Sequence, residues 1–477
     1  MMNVWEWECL IDFLSTCTVV DCGPLYGPIR QFTTTRDEDL NLILESTSPI
    51  GSRSSAQPVL TGTVRRSTEE VHFTGLSGDT AVARGVVPFS LTHSHGTDPS
   101  DAIKTERSQV HIVEWTAASE QKVAHTIQWL ENMPDHFIWP HSVAKEATTK
   151  KAFKYQGDNL EIKLDDSSDS RGFSRCCVHL SLAELDFFVV RAQNLSIDKV
   201  RSPGFILYKG NPSDEDQAKI KDILSFCLGQ FLVDLGFTNF DALWQPVHFK
   251  SRSAHTMHGS AFKLITSPPT LLSNRSYNEI DKSILERMMT ALWGIYDAFD
   301  LQNVFWAYWH AAAAPAHIAA VHYGAAIESL QRKYAEQHNT KFSTTILDTD
   351  TWRILSSQIK NLIADLDNDT EIKELIIRKV QSLNSAPQSI VMARFLAALG
   401  IEGGVVEFSA WNKRNRAAHG SKIHEDKFIE VIRDNKALMI LLNRILLAIS
   451  GASHQYCNYY TAGHPVSTLA SPIPVED

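Results

Sequence analysis

Phe408-Ser409-Ala410-Trp411-Asn412-Lys413-Arg414-Asn415-Arg416-Ala417-Ala418-His419-Gly420 reads as a helix with a defined stop. Glycine ends helices because it alone turns freely into the left-handed region past the last turn. The stretch carries an arginine, a polar asparagine directly after it, and a histidine five positions on. Asn415 and His419 are four apart and share a face. Arg414 lies about 140° round the helix from His419, within reach of a long side chain. Arginine holds phosphate as a planar fork, and histidine moves protons near neutral pH. Those two groups are enough to break a phosphodiester without a metal. The helix dipole favours a charged His419, while Lys413 and Arg416 oppose it, so both protonation states are accessible. The same residues also suit an ordinary basic helix end on a protein surface.

The text on either side of this stretch is helical. Ser283-Ile284-Leu285-Glu286 fits a capping box opening a helix to about Phe299. A long pattern from Asn303 to about His338 follows, then helices near Thr351–Leu366, Thr370–Leu383, Gln388–Leu399, Val405–His419 and Glu425–Ser450. The tail through Tyr459-Tyr460-Thr461 reads as irregular or strand-like.

The first half reads differently. Residues 1 to about 120 are rich in Thr, Ser, Gly and β-branched residues with little 3.6-residue period. Strands are predicted over Val59–Val64, Ala81–Phe89 and Val110–Trp115, then a helix over Ala118–Asn132 ended by Pro134. More strands are predicted over Leu160–Leu164, Cys176–Leu182, Phe187–Ala192 and Phe205–Tyr208, with a polar loop from Asp165 to Gly172. From Asp214, the apolar positions Ile220, Ile223, Leu224, Cys227, Leu228, Phe231 and Leu232 mark an amphipathic helix. Ser267 to Asn278 reads as a linker. The expected fold is therefore α+β in two parts: a β-rich half over 1–270, an all-α bundle over 280–450, and a tail over 451–477.

Composition constrains the partners. At 477 residues the chain exceeds one ordinary core. It is 43% hydrophobic and 21% charged with a net charge of −10, so any contact with nucleic acid depends on a local basic patch. The seven cysteines are odd in number and lack metal spacing, which suits a reducing compartment. Glu6, Glu8 and Asp12 stand where a signal peptide would be basic and then apolar, and Ala437–Ile449 is short and broken by Asn443 and Arg444. A cytoplasmic protein with no membrane partner is expected.

Other groups carry less chemistry. His310, His317 and His322 are seven and five apart, which scatters them over a single long helix. The aromatic block Phe305-Trp306-Ala307-Tyr308-Trp309 suits helix packing more than base stacking. His93, His95 and Asp98 sit in polar text with no further ligand, and the adjacent Cys176 and Cys177 suit a buried strand. No P-loop, Gly-rich dinucleotide fingerprint or Gly-x-Ser-x-Gly elbow occurs, and neither metal nor cofactor is expected.

Arg414-Asn415-Arg416-Ala417-Ala418-His419 resembles the R-x4-6-H signature of the HEPN superfamily, including the polar residue after the arginine. Tyr323-Gly324-Ala325-Ala326-Ile327-Glu328-Ser329-Leu330 is similar to that family's early helix, where a glutamate sits among small residues. The resemblance covers roughly residues 283–450, and the layout with a β-rich half ahead is similar to the ApeA-like abortive-infection proteins. It implies a metal-independent endoribonuclease in antiphage defence, cutting RNA such as tRNA at a composite site formed by a homodimer. The 2′-hydroxyl would attack phosphorus to leave a 2′,3′-cyclic phosphate. His419 would act as base or acid, Arg414 would stabilise phosphoryl charge, and Asn415 would orient either, with Arg416 and Glu328 in support. A phage-derived trigger is implied for the β-rich half. The alternative is a HEPN scaffold without catalysis that binds RNA or a ligand and regulates a partner.

Overall fold

The computed structural model describes residues 14, 16–54, 69–94, 102–119, 121–140, 148–155, 158–165, 176–192, 202–254, 264–276, 278–338, 342–366, 369–418 and 427–475. Side chains are described at all of these except 53–54, 148–155, 158–165 and 415–418. The chain is a mixed α+β protein whose first half is mostly antiparallel sheet and whose second half is helical. It divides into two compact units, one of Met1–Pro268 with Leu272–Thr290, the other of Pro269–Leu271 with Ala291–Asp477.

In the first unit, ten antiparallel strands run in the order Cys17–Asp21, Glu70–Gly75, Thr80–Arg84, Ile112–Thr116, Pro246–Arg252, Val233–Phe240, His125–Glu131, Gly204–Lys209, Leu185–Arg191 and Cys177–Leu182. A second sheet orders Gln31–Arg36, Leu42–Pro49, Ile103–Val110 and Val87–Ser94. Period-two alternation turns Val71, Phe73, Ala81, Ala83, Val113 and Trp115 of the large sheet inward against Leu42, Leu44 and Val110 of the small one. Two of the predicted strands cross from one sheet to the other. The chain leaves the large sheet at Gly85 (φ +68°) and returns to it at His111, so Ala81–Phe89 and Val110–Trp115 each span two strands. A Cβ at Gly85 would lie 2.7 Å from the His111 ring, which fixes glycine at that corner.

The helix predicted over Ala118–Asn132 is instead the strand His125–Glu131, paired on both sides by Gly204–Lys209 and Val233–Phe240. Its polar residues imitate a solvent face, but Thr126, Gln128 and Trp129 each find a partner inside. Thr126 bonds Asn239 at 2.8 Å, Gln128 accepts from the Tyr208 hydroxyl at 2.8 Å, and Trp129 donates to Thr238 at 3.0 Å. Val59–Val64 lies outside the described residues. Helix α1, Asp214–Leu228, is capped by Ser213 and closed by Gly229 (φ 65°), so Phe231 and Leu232 lie beyond it.

Helix α2, Lys282–Ile295, begins one residue before the predicted capping box. Asp281 accepts from the Ser283 backbone at 2.8 Å and from its hydroxyl at 2.6 Å. Glu286, the expected reciprocal partner, instead accepts from the Ser181 backbone at 2.6 Å. The single long helix expected from Asn303 to His338 is two: α3, Leu301–Ala313, and α4, Ala316–Gln337. Pro315 imposes the break by holding Ala314 extended (ψ 150°). The remaining helices are α5, Thr349–Ala364; α6, Thr370–Ser382; α7, Gln388–Ala398; α8, Val405–Ala418; and α9, Phe428–Ser450. The tail forms a hairpin of Gln455–Cys457 with Val466–Thr468. No helix among the described residues is long and apolar enough to cross a membrane.

Candidate functional site

Helix α8 packs along α4 and is anchored by Trp411, which is fully buried and donates its indole N–H to the Gln388 carbonyl at 3.4 Å. One turn on, Arg414 is only 5% exposed. Its side chain turns back along α8 instead of reaching round it. The guanidinium lies 3.5 Å from the Trp411 ring centroid, and Nη1 donates to the Trp411 carbonyl at 2.8 Å. Nη2 donates to Glu328 Oε1 on α4 at 2.5 Å. The close approach of the two helices depends on Gly324, where a Cβ would lie 2.9 Å from Arg414 Cδ. Sequence segments 86 residues apart thus meet at one charge-assisted bond.

The two partners are unequal. Arg414 is enclosed, while the Glu328 side chain is 45% exposed and lines a cavity of about 370 Å3 with Gln331, Arg332, Glu336, Thr344, Gln388 and Val391. Glu328 thus meets the enclosed arginine on one side and the cleft on the other, while Arg414 is not one of the residues that line the cleft.

The positive charge expected of this helix is partly spent. Lys413 donates to Glu430 at 2.6 Å and lies 3.2 Å from Asp434, both on α9. Burial works to lower its pKa, but the two carboxylates outweigh burial and hold it above the usual lysine value. Asn415 and Arg416 fall on the last turn of α8, where side chains are not described, and His419 lies outside the described residues. Of the five site residues expected from sequence, Arg414 and Glu328 are therefore the two whose side chains are seen to meet.

A second grouping escaped sequence reading. Because Pro315 folds α4 back on α3, His310 and His322 come together with ring centroids 5.7 Å apart, where one continuous helix would have scattered them. Trp306 lies over His310 with ring centroids 3.5 Å apart and meets His322 edge-on at 6.3 Å. Its neighbours Phe305, Tyr308 and Trp309 are buried, but Trp306 is 57% exposed. His310 Nδ1 donates to the Trp306 carbonyl at 2.7 Å. Burial, with His310 beside it, lowers the His322 pKa. The readable signal was Ala314-Pro315 inside a helical pattern.

The sheet unit holds a cavity of about 390 Å3 lined by Arg84, His111, Lys221, Phe231, Asp234 and Arg252, among others. Its cations are already matched: Arg252 by Asp214 and Asp234, Lys221 by Asp222, Arg84 by Glu70 and Glu114. Cys176 and Cys177 are buried. His93 is the residue before last of the strand Val87–Ser94, and His95 and Asp98 lie outside the described residues. Among the described residues, no three His, Cys, Asp or Glu side chains gather as a metal site. The chain matches no protein-family model, no curated protein and no solved structure.

Proposed function

We propose that the chain is a metal-independent endoribonuclease of the HEPN kind, acting in abortive infection against phage. The observation that carries this reading is the Arg414–Glu328 contact: an arginine on the motif helix held by a carboxylate that is itself half exposed beside a cleft. In the proposed reaction the RNA 2′-hydroxyl attacks the adjacent phosphorus and the bond to the 5′-oxygen breaks, leaving a 2′,3′-cyclic phosphate and a 5′-hydroxyl. His419 takes or gives the proton, and Arg414, exchanged from Glu328 to the phosphate, stabilises charge on the phosphoryl oxygens. Asn415 orients the histidine or the phosphate, and Arg416 adds charge. Each protomer supplies half of the site, so a homodimer is required. The sheet unit senses a phage-derived trigger or restrains the nuclease in the cytoplasm. The exposed Trp306 face offers a place for an RNA base to stack.

One observation favours a second reading. Arg414 is enclosed and both its terminal nitrogens are engaged, as in an arginine that only ties two helices together. The HEPN unit would then be a non-catalytic scaffold that binds RNA or a ligand and regulates a partner. Incubation of the purified chain with total RNA and tRNA in EDTA separates the two. Cleavage abolished by His419→Ala and by Arg414→Ala supports the nuclease. Equal cleavage by both variants rejects it, and RNA binding without cleavage selects the scaffold.

A further inference from the structure

The cleft beside Glu328 carries a cation of its own. Its charged residues, Glu328, Arg332 and Glu336, follow one another at single-turn intervals on α4. An arginine between two glutamates at that spacing has a carboxylate within reach on either side. Both carboxylates are engaged elsewhere. Glu328 accepts from Arg414 at 2.5 Å, and Glu336 lies 3.3 Å from Lys333. Arg332 itself is exposed. Among the described residues, each carboxylate of the cleft thus has its own cation, and Arg332 has no ion pair. The other polar groups of the lining, Gln331, Thr344 and Gln388, are uncharged. Arg414 does not line the cleft, so the guanidinium that an anion there can reach without rearrangement is that of Arg332.

We propose that Arg332 binds a backbone phosphate of single-stranded RNA and so holds the strand in the cleft beside the Arg414–Glu328 contact. A guanidinium offers five donors and no acceptor, in a flat fork that matches two phosphate oxygens. The amide and hydroxyl groups near it can bond ribose or phosphate oxygens without adding a competing charge. A cleft of about 370 Å3 is in the size range of pockets that enclose one small unit, which fits a single unpaired nucleotide. In a chain of net charge −10, RNA binding depends on local cations, and Lys413 and Lys333 are spent on carboxylates. The inference rests on the RNA-cutting reading and extends it: Arg332 binds and aligns the strand, while the groups already assigned act on the bond that breaks.

A short fluorescein-labelled 2′-O-methyl RNA tests it, because the methyl group removes the attacking hydroxyl and separates binding from cutting. Affinity is measured by anisotropy at several salt concentrations for the wild type, Arg332→Gln and Arg332→Lys. Arg353→Gln, at an exposed arginine on α5, takes the same charge from outside the cleft. Arg332→Gln should weaken binding about ten-fold and flatten the slope of log affinity against log salt by about 0.7, the share of one phosphate on a single strand. Arg332→Lys should keep the slope and lose part of the affinity, since the charge stays and the fork goes. Arg353→Gln should change neither. With cleavable RNA in EDTA, Arg332→Gln should raise KM about ten-fold and leave kcat near the wild-type value. All four proteins should share one circular dichroism spectrum, since both arginines are exposed. A wild type that binds while Arg332→Gln keeps its slope, or an Arg353→Gln effect as large as that of Arg332→Gln, overturns the phosphate site and leaves the nuclease reading standing. A wild type that binds no oligonucleotide overturns it as well. The expected slopes in a chain that leaves natural RNA uncut would support the phosphate site and overturn only the nuclease.

Discussion

Two arginines in the helical unit are both enclosed, and their surroundings could hardly differ more. Arg444 on α9 is fully buried with Glu407 on α8, which is also fully buried, at 2.6 Å. Its other nitrogens donate to the carbonyls of Leu469 at 2.8 Å and Glu402 at 3.0 Å, and its guanidinium lies 5.0 Å from the Tyr456 ring. Glu407 also accepts from the backbones of Ile473 at 2.8 Å and Gly404 at 3.2 Å. Burial pulls the Arg444 pKa down against the opposing pull of Tyr456 and Glu407, a sign of how dry the site is. This cluster pins the C-terminal hairpin to α8 and α9, and nothing in it is left over for a ligand. Arg414 has one carboxylate, and that carboxylate is half in water beside a cavity. The first network is closed on every side, and the second meets water on the side of Glu328.

The largest expected effect breaks the closed cluster. Arg444→Met leaves Glu407 as a buried, uncompensated charge and should cost about 3–5 kcal/mol. Replacing both, as Arg444→Met/Glu407→Leu, should recover much of that loss. Urea unfolding followed by circular dichroism reads both values. If the double variant is no better than the single, the pair is not the reason Arg444 is there.

Arg414→Ala should cost less, about 1–3 kcal/mol, because Glu328 is rehydrated when its partner goes. RNA cleavage in EDTA should be lost altogether. Glu328→Gln should keep the fold with a change in melting temperature of only a few degrees, on the scale of about 1 kcal/mol. A loss at Arg414 as large as that at Arg444 would erase the contrast between the two sites and favour the scaffold.

Gly324→Ala probes the same contact from the α4 side. The new methyl would press on Arg414 Cδ at 2.9 Å, which a flexible side chain can yield to, so a cost of about 1 kcal/mol is expected. Cleavage should fall more than stability does, because the displaced atom belongs to the guanidinium arm. Thermal melts and initial rates on one preparation give the ratio.

How much of this could be read in advance follows from which signals are local. The late helix with Trp411 and Arg414, and the β-to-α change of period, are visible because spacing and composition report them directly. The strand His125–Glu131 was misread because Thr126 and Gln128 take partners across the sheet, Asn239 and Tyr208, that lie 113 and 80 residues away. Glu328 could be named by resemblance, but its exposure beside a cleft could not, since burial is decided by the packing of α4, α7 and α8. The His310–His322 contact needed the chain reversal at Pro315, and the role given to Arg332 needed knowledge that Glu328 and Glu336 take other cations. Helical spacing shows which charges can pair and leaves open which do.

The smallest effect concerns Lys413, next to Arg414 and 28% exposed. If the surroundings of Arg414 are meant to hold little free positive charge, Lys413 serves Glu430 and Asp434 and contributes modestly. Lys413→Met should cost under about 1 kcal/mol at neutral pH, as half-exposed pairs do. The sign of its pH dependence is fixed. The two carboxylates raise the folded-state pKa above that of the unfolded chain, so the contribution is complete below the ordinary lysine value and disappears as pH rises through the higher folded value. The stability difference between wild type and Lys413→Met, measured by urea unfolding at neutral pH and again at strongly alkaline pH, should therefore shrink toward zero at the alkaline end. Cleavage should survive the substitution. A variant that is stable but inactive would mean that Lys413 carries charge to the substrate, and the contrast would then have to be drawn between a single cluster of cations on α8 and the closed network at Arg444.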